Sequence, residues 1–242
     1  MNPPLPCHTT IKDCALFLDI DGTLLDFSLS PENVIVPAEL PATLHALFHY
    51  LSGALAFISG RHMADIERLF GPSIAIGAEH GALLRTADGT VIFETAPAPV
   101  LPQIMQALRK AIAPYPGVLL EEKHYGATLH WRADPAAAQD IKSLACKLTA
   151  PYPDLALLPA HEALEIRTKG VDKAIALEKF MALPPFAGRI PVFIGDDVTD
   201  EAAIAKASAM GGLGLHVGRD FGGSPQAVRN WLAERIADVT SA

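Results

Sequence analysis

Residues 16–25 read LFLDIDGTLL. The run CALFL at residues 14–18, which leads into them, is apolar throughout, as a strand covered on both faces must be. It ends in two carboxylates, Asp19 and Asp21, and then Gly22. In an extended segment residues i and i+2 face one side, so the two carboxylates can converge where the strand stops, while Gly22 lets the chain turn away sharply. In open α/β sheets that carboxyl edge is where ligands bind.

On either side, short apolar runs alternate with helical patterns, the signature of a parallel sheet with helices on both faces. PAELPATLHALFHYL reads as a helix, ALAFISG as a second strand, HMADIERLF as a helix, and SIAIGAE as a third strand followed by a hairpin through TADGT. The pattern changes at the Pro-rich stretch ETAPAPVLPQ. A helix over about 101–113, two strand-like runs in VLLEEKHYGATLHWR, a helix after Asp134-Pro135 and strands near LALLP and ALEIR describe a small α+β domain on an antiparallel sheet. Doubly wound order resumes with the helix VDKAIALEKFM, the strand IPVFIG, the helix TDEAAIAKAS, the strand LGLHVG and a last helix capped at Ser224-Pro225. The expected fold is α/β: a Rossmann-like core from residues 1–97 and 169–242, with an α+β domain inserted over 98–168.

Composition narrows the function classes. With 242 residues, 50% hydrophobic and 19% charged, the chain has material for one large domain plus an insert. A net charge of -8 with scattered Lys and Arg makes nucleic acid a poor partner. Cys7, Cys14 and Cys146 are odd in number and lack CxxC spacing, so neither a disulfide framework nor a zinc site is expected, and a reducing cytoplasm fits. The stretch MNPPLPCHTTIKD has no basic leader or apolar core, and no run approaches the roughly 18 apolar residues of a membrane span. The expectation is a cytoplasmic monomer whose partner is a small molecule.

An aspartate is ionised at neutral pH and needs no base to act as a nucleophile, and its natural target is phosphorus. Attack on a phosphate ester by Asp19 gives an aspartyl phosphate, which water cleaves. Asp21 is placed to protonate the departing alkoxide. Two anions meet only if a hard cation intervenes, so further carboxylates are required. The stretch VFIGDDVTDE supplies Asp196 and Asp197 after another apolar strand, with Asp200 one turn on. Ser59 in FISGR follows a third strand and offers a hydroxyl to a phosphoryl oxygen, while Lys169 and Lys173 offer an ammonium.

DxDGT, a strand-ending Ser, a Lys and GDDxTDE in this order resemble the haloacid dehalogenase (HAD) superfamily of phosphatases. An insert between the serine and the lysine resembles its C2B cap subclass. SGR, GAEHG, the ExK of Glu121 and Lys123, LHWR, LEIR and GDDVTDE together are similar to the trehalose-6-phosphate phosphatases, over about residues 14–217. The resemblance implies Asp19 as nucleophile, Asp21 as general acid/base, and Ser59 and Lys173 as the phosphate clamp. Lys173 is selected over Lys169 because it sits in an SKG-like setting eight residues past Glu165, although Ala174 follows where the family has glycine. It implies Mg2+ held by Asp19, the Asp21 main-chain carbonyl and Asp196, with Asp197 and Asp200 close behind. It places Gly22, Arg61, Glu79 and His80 among the substrate-binding residues of the core, and Glu121, Lys123, Arg132 and Glu165 on the cap as partners of sugar hydroxyls. Trp131 stands where the family's HYR motif has tyrosine, which removes a hydroxyl.

Plainer readings compete at several positions. Ser59 and Arg61 could be a helix cap and a surface charge, His80 a core histidine, and Glu121 with Lys123 a solvated strand face. Met63, Met105 and the scattered Phe read as core, and His124 and Tyr125 as surface. The rival activities are a phosphatase for another sugar phosphate, such as sucrose 6-phosphate or mannosyl-3-phosphoglycerate, and a silent sugar-phosphate sensor. A sensor would normally have lost Asp19 or Asp21, and both are present.

Overall fold

The computed structural model describes residues 3–5, 10–28, 34–160 and 162–240, with side chains as far as 237. Cys7 lies outside the described residues, as does most of the segment before Thr10. The chain divides into two units, Met1–Glu94 with Asp172–Ala242, and Thr95–Val171.

The first unit is built outward from β1 (Cys14–Leu18), whose five residues are all buried. β1 pairs in parallel with β10 (Ile190–Gly195) on one side and β2 (Leu55–Ile58) on the other. β11 (Leu213–His216) extends the sheet beyond β10. Beyond β2, β3 (Ala75–Ala78) continues in parallel, and the hairpin of β4 (Leu83–Arg85) and β5 (Val91–Glu94) finishes the sheet in antiparallel sense. The strand order is β11-β10-β1-β2-β3-β4-β5. Successive strands therefore step one way from β1 and the opposite way from β10. With right-handed crossovers, α1 (Leu40–Tyr50) and α6 (Glu201–Ala209) fall on opposite faces. Accordingly α1 packs on α7 (Pro225–Thr240), and α6 on α5 (Lys173–Met181). The switch in direction at β1 and β10 opens a crevice at their carboxyl ends, where ligands bind in such sheets.

Sequence periodicity explains the helices. α1 buries Leu40, Leu44 and Leu47, one stripe at spacings of four and three. α2 (Met63–Phe70) buries Ile66 and Phe70. α5 buries Ala176, Leu177 and Phe180, and the Phe180 ring lies 6.2 Å from that of Phe17 in β1 and 5.2 Å from that of Phe186. This aromatic cluster seats the helix whose first residue is Lys173.

The second unit is a four-stranded antiparallel sheet of order β6-β7-β9-β8, formed by β6 (Leu119–Glu122), β7 (Gly126–His130), β8 (Leu155–Ala160) and β9 (Ala163–Thr168). Ala127, Leu129, Leu164 and Ile166 of one sheet face share a core with Leu101, Ile104, Met105 and Leu108 of α3 (Leu101–Ile112) and with Ile141 and Ala145 of α4 (Ala138–Thr149). The alternate residues make the opposite face.

Two surface and core expectations are corrected. Tyr125 is buried, because its carbonyl accepts from the backbone N–H and the hydroxyl of Thr168 and so ties the turn before β7 to the end of β9. Phe27 is 51% exposed: it lies past the turn over residues 20–25, and its ring covers Gly22 instead of entering the core.

Phe180→Ala should destabilise the protein by about 3–5 kcal/mol, since it deletes a fully buried ring. Urea unfolding with an unchanged slope would register this as a shift in midpoint.

Candidate active site

Parallel pairing of Leu18 with Ile194 brings the two acidic strand ends together, and the Asp19 N–H donates to the Ile194 carbonyl at 3.0 Å. Lys173, at the first turn of α5, is 2% exposed. Its Nζ donates to Asp19 Oδ1 at 2.7 Å and to Asp200 Oδ1 at 2.6 Å. The other Asp200 oxygen accepts the backbone N–H groups of Asp196 and Asp197 at 3.0 and 3.1 Å, so Asp200 also shapes the loop after β10. Thr23 donates its hydroxyl to Asp196 Oδ1 at 3.2 Å. Gly22 has φ +74°, and a side chain there would collide with the Asp196 carboxylate, so only glycine lets these loops approach.

Asp19, Asp196 and Asp200 each offer a carboxylate oxygen, all within 4.8 Å of one another. Three carboxylates share one ammonium, an excess of two negative charges if all are ionised. The electrostatics express that excess. Burial, and then the neighbouring carboxylates Asp200 and Asp196, push the Asp19 carboxyl well up against the pull of Lys173. Burial and Asp200 raise Asp196 to about 7. Burial alone would lower the Lys173 ammonium, but Asp19 and Asp200 outweigh it and raise its pKa. Oxygen-only donors with surplus negative charge fit a hard divalent cation. Asp197 stands slightly apart, its carboxylate accepting from Val198 N–H at 2.6 Å as a cap of the following turn.

Asp21 has a different environment. Arg61 grips it through two bonds, Nε to Oδ2 and Nη2 to Oδ1, both 2.6 Å. Arg61 is buried, so the surface-charge reading fails, and the cap of α2 is His62, whose Nδ1 accepts from Ala64 N–H. Ser59 is buried at the end of β2, and its Oγ accepts from Arg61 N–H at 3.3 Å. The Ser59–Arg61 loop is held by the next one: His80 N–H donates to the Ser59 carbonyl and Glu79 N–H to the Arg61 carbonyl. Glu79 and His80 adopt positive φ, 45° and 59°, an uncommon conformation for side-chain-bearing residues that concentrates at functional sites. The His80 ring lies directly over Gly60, leaving no room for a side chain there.

In the second unit, β7 pairs Thr128 with Glu121 on β6 and with Glu165 on β9, so all three lie on the sheet face opposite the helices. Lys123, whose side chain is 8% exposed and thus not solvated, lies 3.9 Å from Glu121 and 3.5 Å from Glu165. His130 Nε2 lies 2.8 Å from Glu121 Oε2, with the ring nitrogen donating. Burial by itself would raise the Glu121 carboxyl, but the His130 hydrogen bond and Lys123 prevail and hold it below the usual range. Arg132 stands apart from this cluster and pairs with Glu162 at 3.3 Å. Trp131 faces the helices, buried beneath Lys142, so this position does not present its side chain to the polar face. Lys169 is exposed. His130 and Thr128 were not assigned from sequence, although alternation against apolar Ala127 and Leu129 is the signal that marks them.

A carboxyl with a raised folded-state pKa binds a proton that the unfolded chain has released, so it weakens the fold as pH rises. For Asp196 the window runs from about 4 to about 7. In protein stripped of divalent metal, Asp196→Asn should therefore be more stable than wild type by roughly 2–3 kcal/mol at pH 8. That gain should shrink toward zero by about pH 3.5. Denaturant titrations at the two pH values, with chelator present, measure both.

Comparison with known proteins identifies the family. The trehalose-phosphatase family profile matches residues 17–225. The Escherichia coli (strain K12) trehalose-6-phosphate phosphatase is 36% identical over 228 residues, covering 94% of this chain and 84% of the relative. A probable trehalose-phosphate phosphatase of Sinorhizobium fredii (strain NBRC 101917 / NGR234) is 39% identical over 212 residues, covering 87% and 80%. Among solved structures, the C-terminal domain of the C. albicans trehalose-6-phosphate phosphatase superposes with a TM-score of 0.79 at 19% identity, over 93% of this chain and 92% of that one. A haloacid dehalogenase-like hydrolase from Bacteroides thetaiotaomicron gives 0.61 at 14% identity, over 89% and 98%. These two structures share the fold: a HAD-type α/β core with an inserted α+β unit. From the profile match and the two close relatives, the chain belongs to the trehalose-phosphatase family.

Proposed function

We propose that this protein is a phosphomonoesterase that hydrolyses trehalose 6-phosphate to trehalose and phosphate in the cytoplasm, where its free thiols Cys14 and Cys146 stay reduced. The observation that carries the reading is Asp19: a buried carboxylate at the carboxyl end of the central strand, bonded to a buried ammonium and flanked by Asp196 and Asp200.

Asp19 attacks phosphorus, forming a carboxyl oxygen–phosphorus bond as the bond from phosphorus to the sugar's 6-oxygen breaks. Asp21 gives that oxygen its proton. Water then attacks the aspartyl phosphate, Asp21 takes a proton from it, and phosphate leaves as the Asp19 carboxylate is regenerated. Lys173 orients Asp19 throughout. The Ser59 hydroxyl and Lys173 would hold phosphoryl oxygens, with Gly22, Glu79 and His80 lining the same loops. Arg61 occupies both oxygens of Asp21, so proton transfer requires that pair to loosen, and an arriving phosphate dianion competes for the guanidinium in the way that does so. Asp19, Asp196 and Asp200, with Asp197 and the Asp21 carbonyl nearby, would hold a divalent cation, taken to be Mg2+. Bound, it supplies the positive charge that lets an anionic nucleophile meet an anionic phosphate. Glu121, Lys123 and Glu165 present acceptors and a donor to sugar hydroxyls, and Arg132, paired with Glu162, would offer a further donor from outside that cluster.

Released phosphate should be greatest with trehalose 6-phosphate in a panel containing sucrose 6-phosphate and mannosyl-3-phosphoglycerate; a clear preference for either alternative would transfer the assignment to it. Chelator should abolish release and Mg2+ restore it. Asp19→Asn should lower kcat by at least roughly 1,000-fold and Asp21→Asn by about 100- to 10,000-fold. Near-normal turnover in either variant refutes the role given to that residue.

A further inference from the structure

We infer that the hydroxyl of Thr128 is a substrate-binding group that contacts the disaccharide directly. The inference rests on the activity proposed above and extends it to a residue outside the acidic and basic cluster.

Thr128 is the central residue of β7, and its side chain is 5% exposed. Its register partners are Glu121 on one side and Glu165 on the other, so it sits in the middle of the polar sheet face, between two carboxylates joined through Lys123. The charged groups of its own row have partners: His130 donates to Glu121, and Lys123 lies between Glu121 and Glu165. The Thr128 Oγ1 has none, although it is buried. Arg167, two residues beyond Glu165 on the same face, likewise buries its Nη1 without a partner.

Buried polar atoms are nearly always hydrogen-bonded, and an orphan hydroxyl costs free energy that a valine of the same shape would not. Threonine at a β-strand centre is thus explained by packing only to the extent that valine is, and the hydroxyl is left over. A ligand rich in hydroxyls completes it once the side chains that cover it shift, since the atom is closed to water as it stands. A threonine hydroxyl both donates and accepts, so it bonds a sugar hydroxyl in either sense, whereas the flanking carboxylates only accept and Lys123 only donates.

Thr128→Val tests the hydroxyl with the shape held constant. KM for trehalose 6-phosphate should rise roughly 3- to 10-fold while kcat changes much less, the loss expected for one neutral hydrogen bond. Calorimetric titration of the Mg2+-loaded protein with trehalose should show the same loss in affinity. The thermal midpoint should stay level or rise, and Thr128→Ser should return KM to within about twofold of wild type. An unchanged KM and trehalose affinity in Thr128→Val overturns the inference while leaving the proposed activity standing. So does a lowered midpoint with no rescue by serine, which marks a packing role. If wild-type protein neither hydrolyses trehalose 6-phosphate nor binds trehalose, both fall together.

Discussion

The ammonium of Lys173, closed off from water between Asp19 and Asp200, is the contact on which the rest of the first unit's site depends. Taking three charged groups out of water costs several kcal/mol each, and mutual attraction repays this only where geometry is good and remaining lone pairs are satisfied. Asp200 meets both conditions. Asp200 fills its second oxygen with the amides of Asp196 and Asp197, and Asp19 is fixed by its backbone bond to β10. Each partner also comes from a different piece of chain: the end of β1, the start of α5 and the turn after β10. The ion cluster therefore specifies how three elements meet, while apolar contacts such as the Phe17–Phe180–Phe186 group supply the driving force.

Asp19 and Asp21 are two residues apart, yet their surroundings differ in kind. Asp19 is buried among carboxylates with one ammonium, whereas Asp21 is half-exposed and chelated by Arg61. The roles proposed for them require both environments to change, by a cation beside Asp19 and by loosening of the Arg61 pair at Asp21. The contrast depends on Arg61, and Arg61 depends on the strained turn at Glu79 and His80, whose amides pin the loop that carries it. Strain in that turn is offset by the bonds it makes possible.

Much of this was legible in the sequence because it was written in patterns of short range. An all-apolar run ending in Asp-x-Asp-Gly, and a second ending in Gly-Asp-Asp, mark the carboxyl ends of buried parallel strands, and the order of the runs marks the insert. What resisted reading involves long-range register. Nothing local distinguishes Asp200 as the scaffold of the acidic loop from Asp197 as its cap, since that choice is made by where Lys173 arrives from residue 173. The competing reading of Arg61 as a surface charge falls only when Asp21, forty residues earlier, is placed against it. Glu121 and Lys123 read as a solvated face until Glu165 is paired across β7. Tyr125 reads as surface because its anchor, Thr168, lies beyond two further strands and a helix.

On the proposed reading the second unit solves a different problem from the first. A phosphate can be recognised by charge alone, but a disaccharide is neutral, and its hydroxyls differ from water only in their fixed spacing. Discriminating them requires donors and acceptors that do not move. An antiparallel sheet with one face committed to a helical core supplies this, because the other face repeats at a period of two residues along each strand and about 4.8 Å between strands. On that grid Glu121, Thr128 and Glu165 form one row, and Lys123 ties the two carboxylates together so that neither can swing away. His130 holds the outer end of the row by its bond to Glu121. If these groups bind the sugar as proposed, selectivity comes from the penalty for a wrong sugar, which leaves some of them without partners, and that penalty exceeds what a single added contact contributes. Apart from Lys123, which follows β6, these groups are carried by strands, whose spacing fixes them relative to one another.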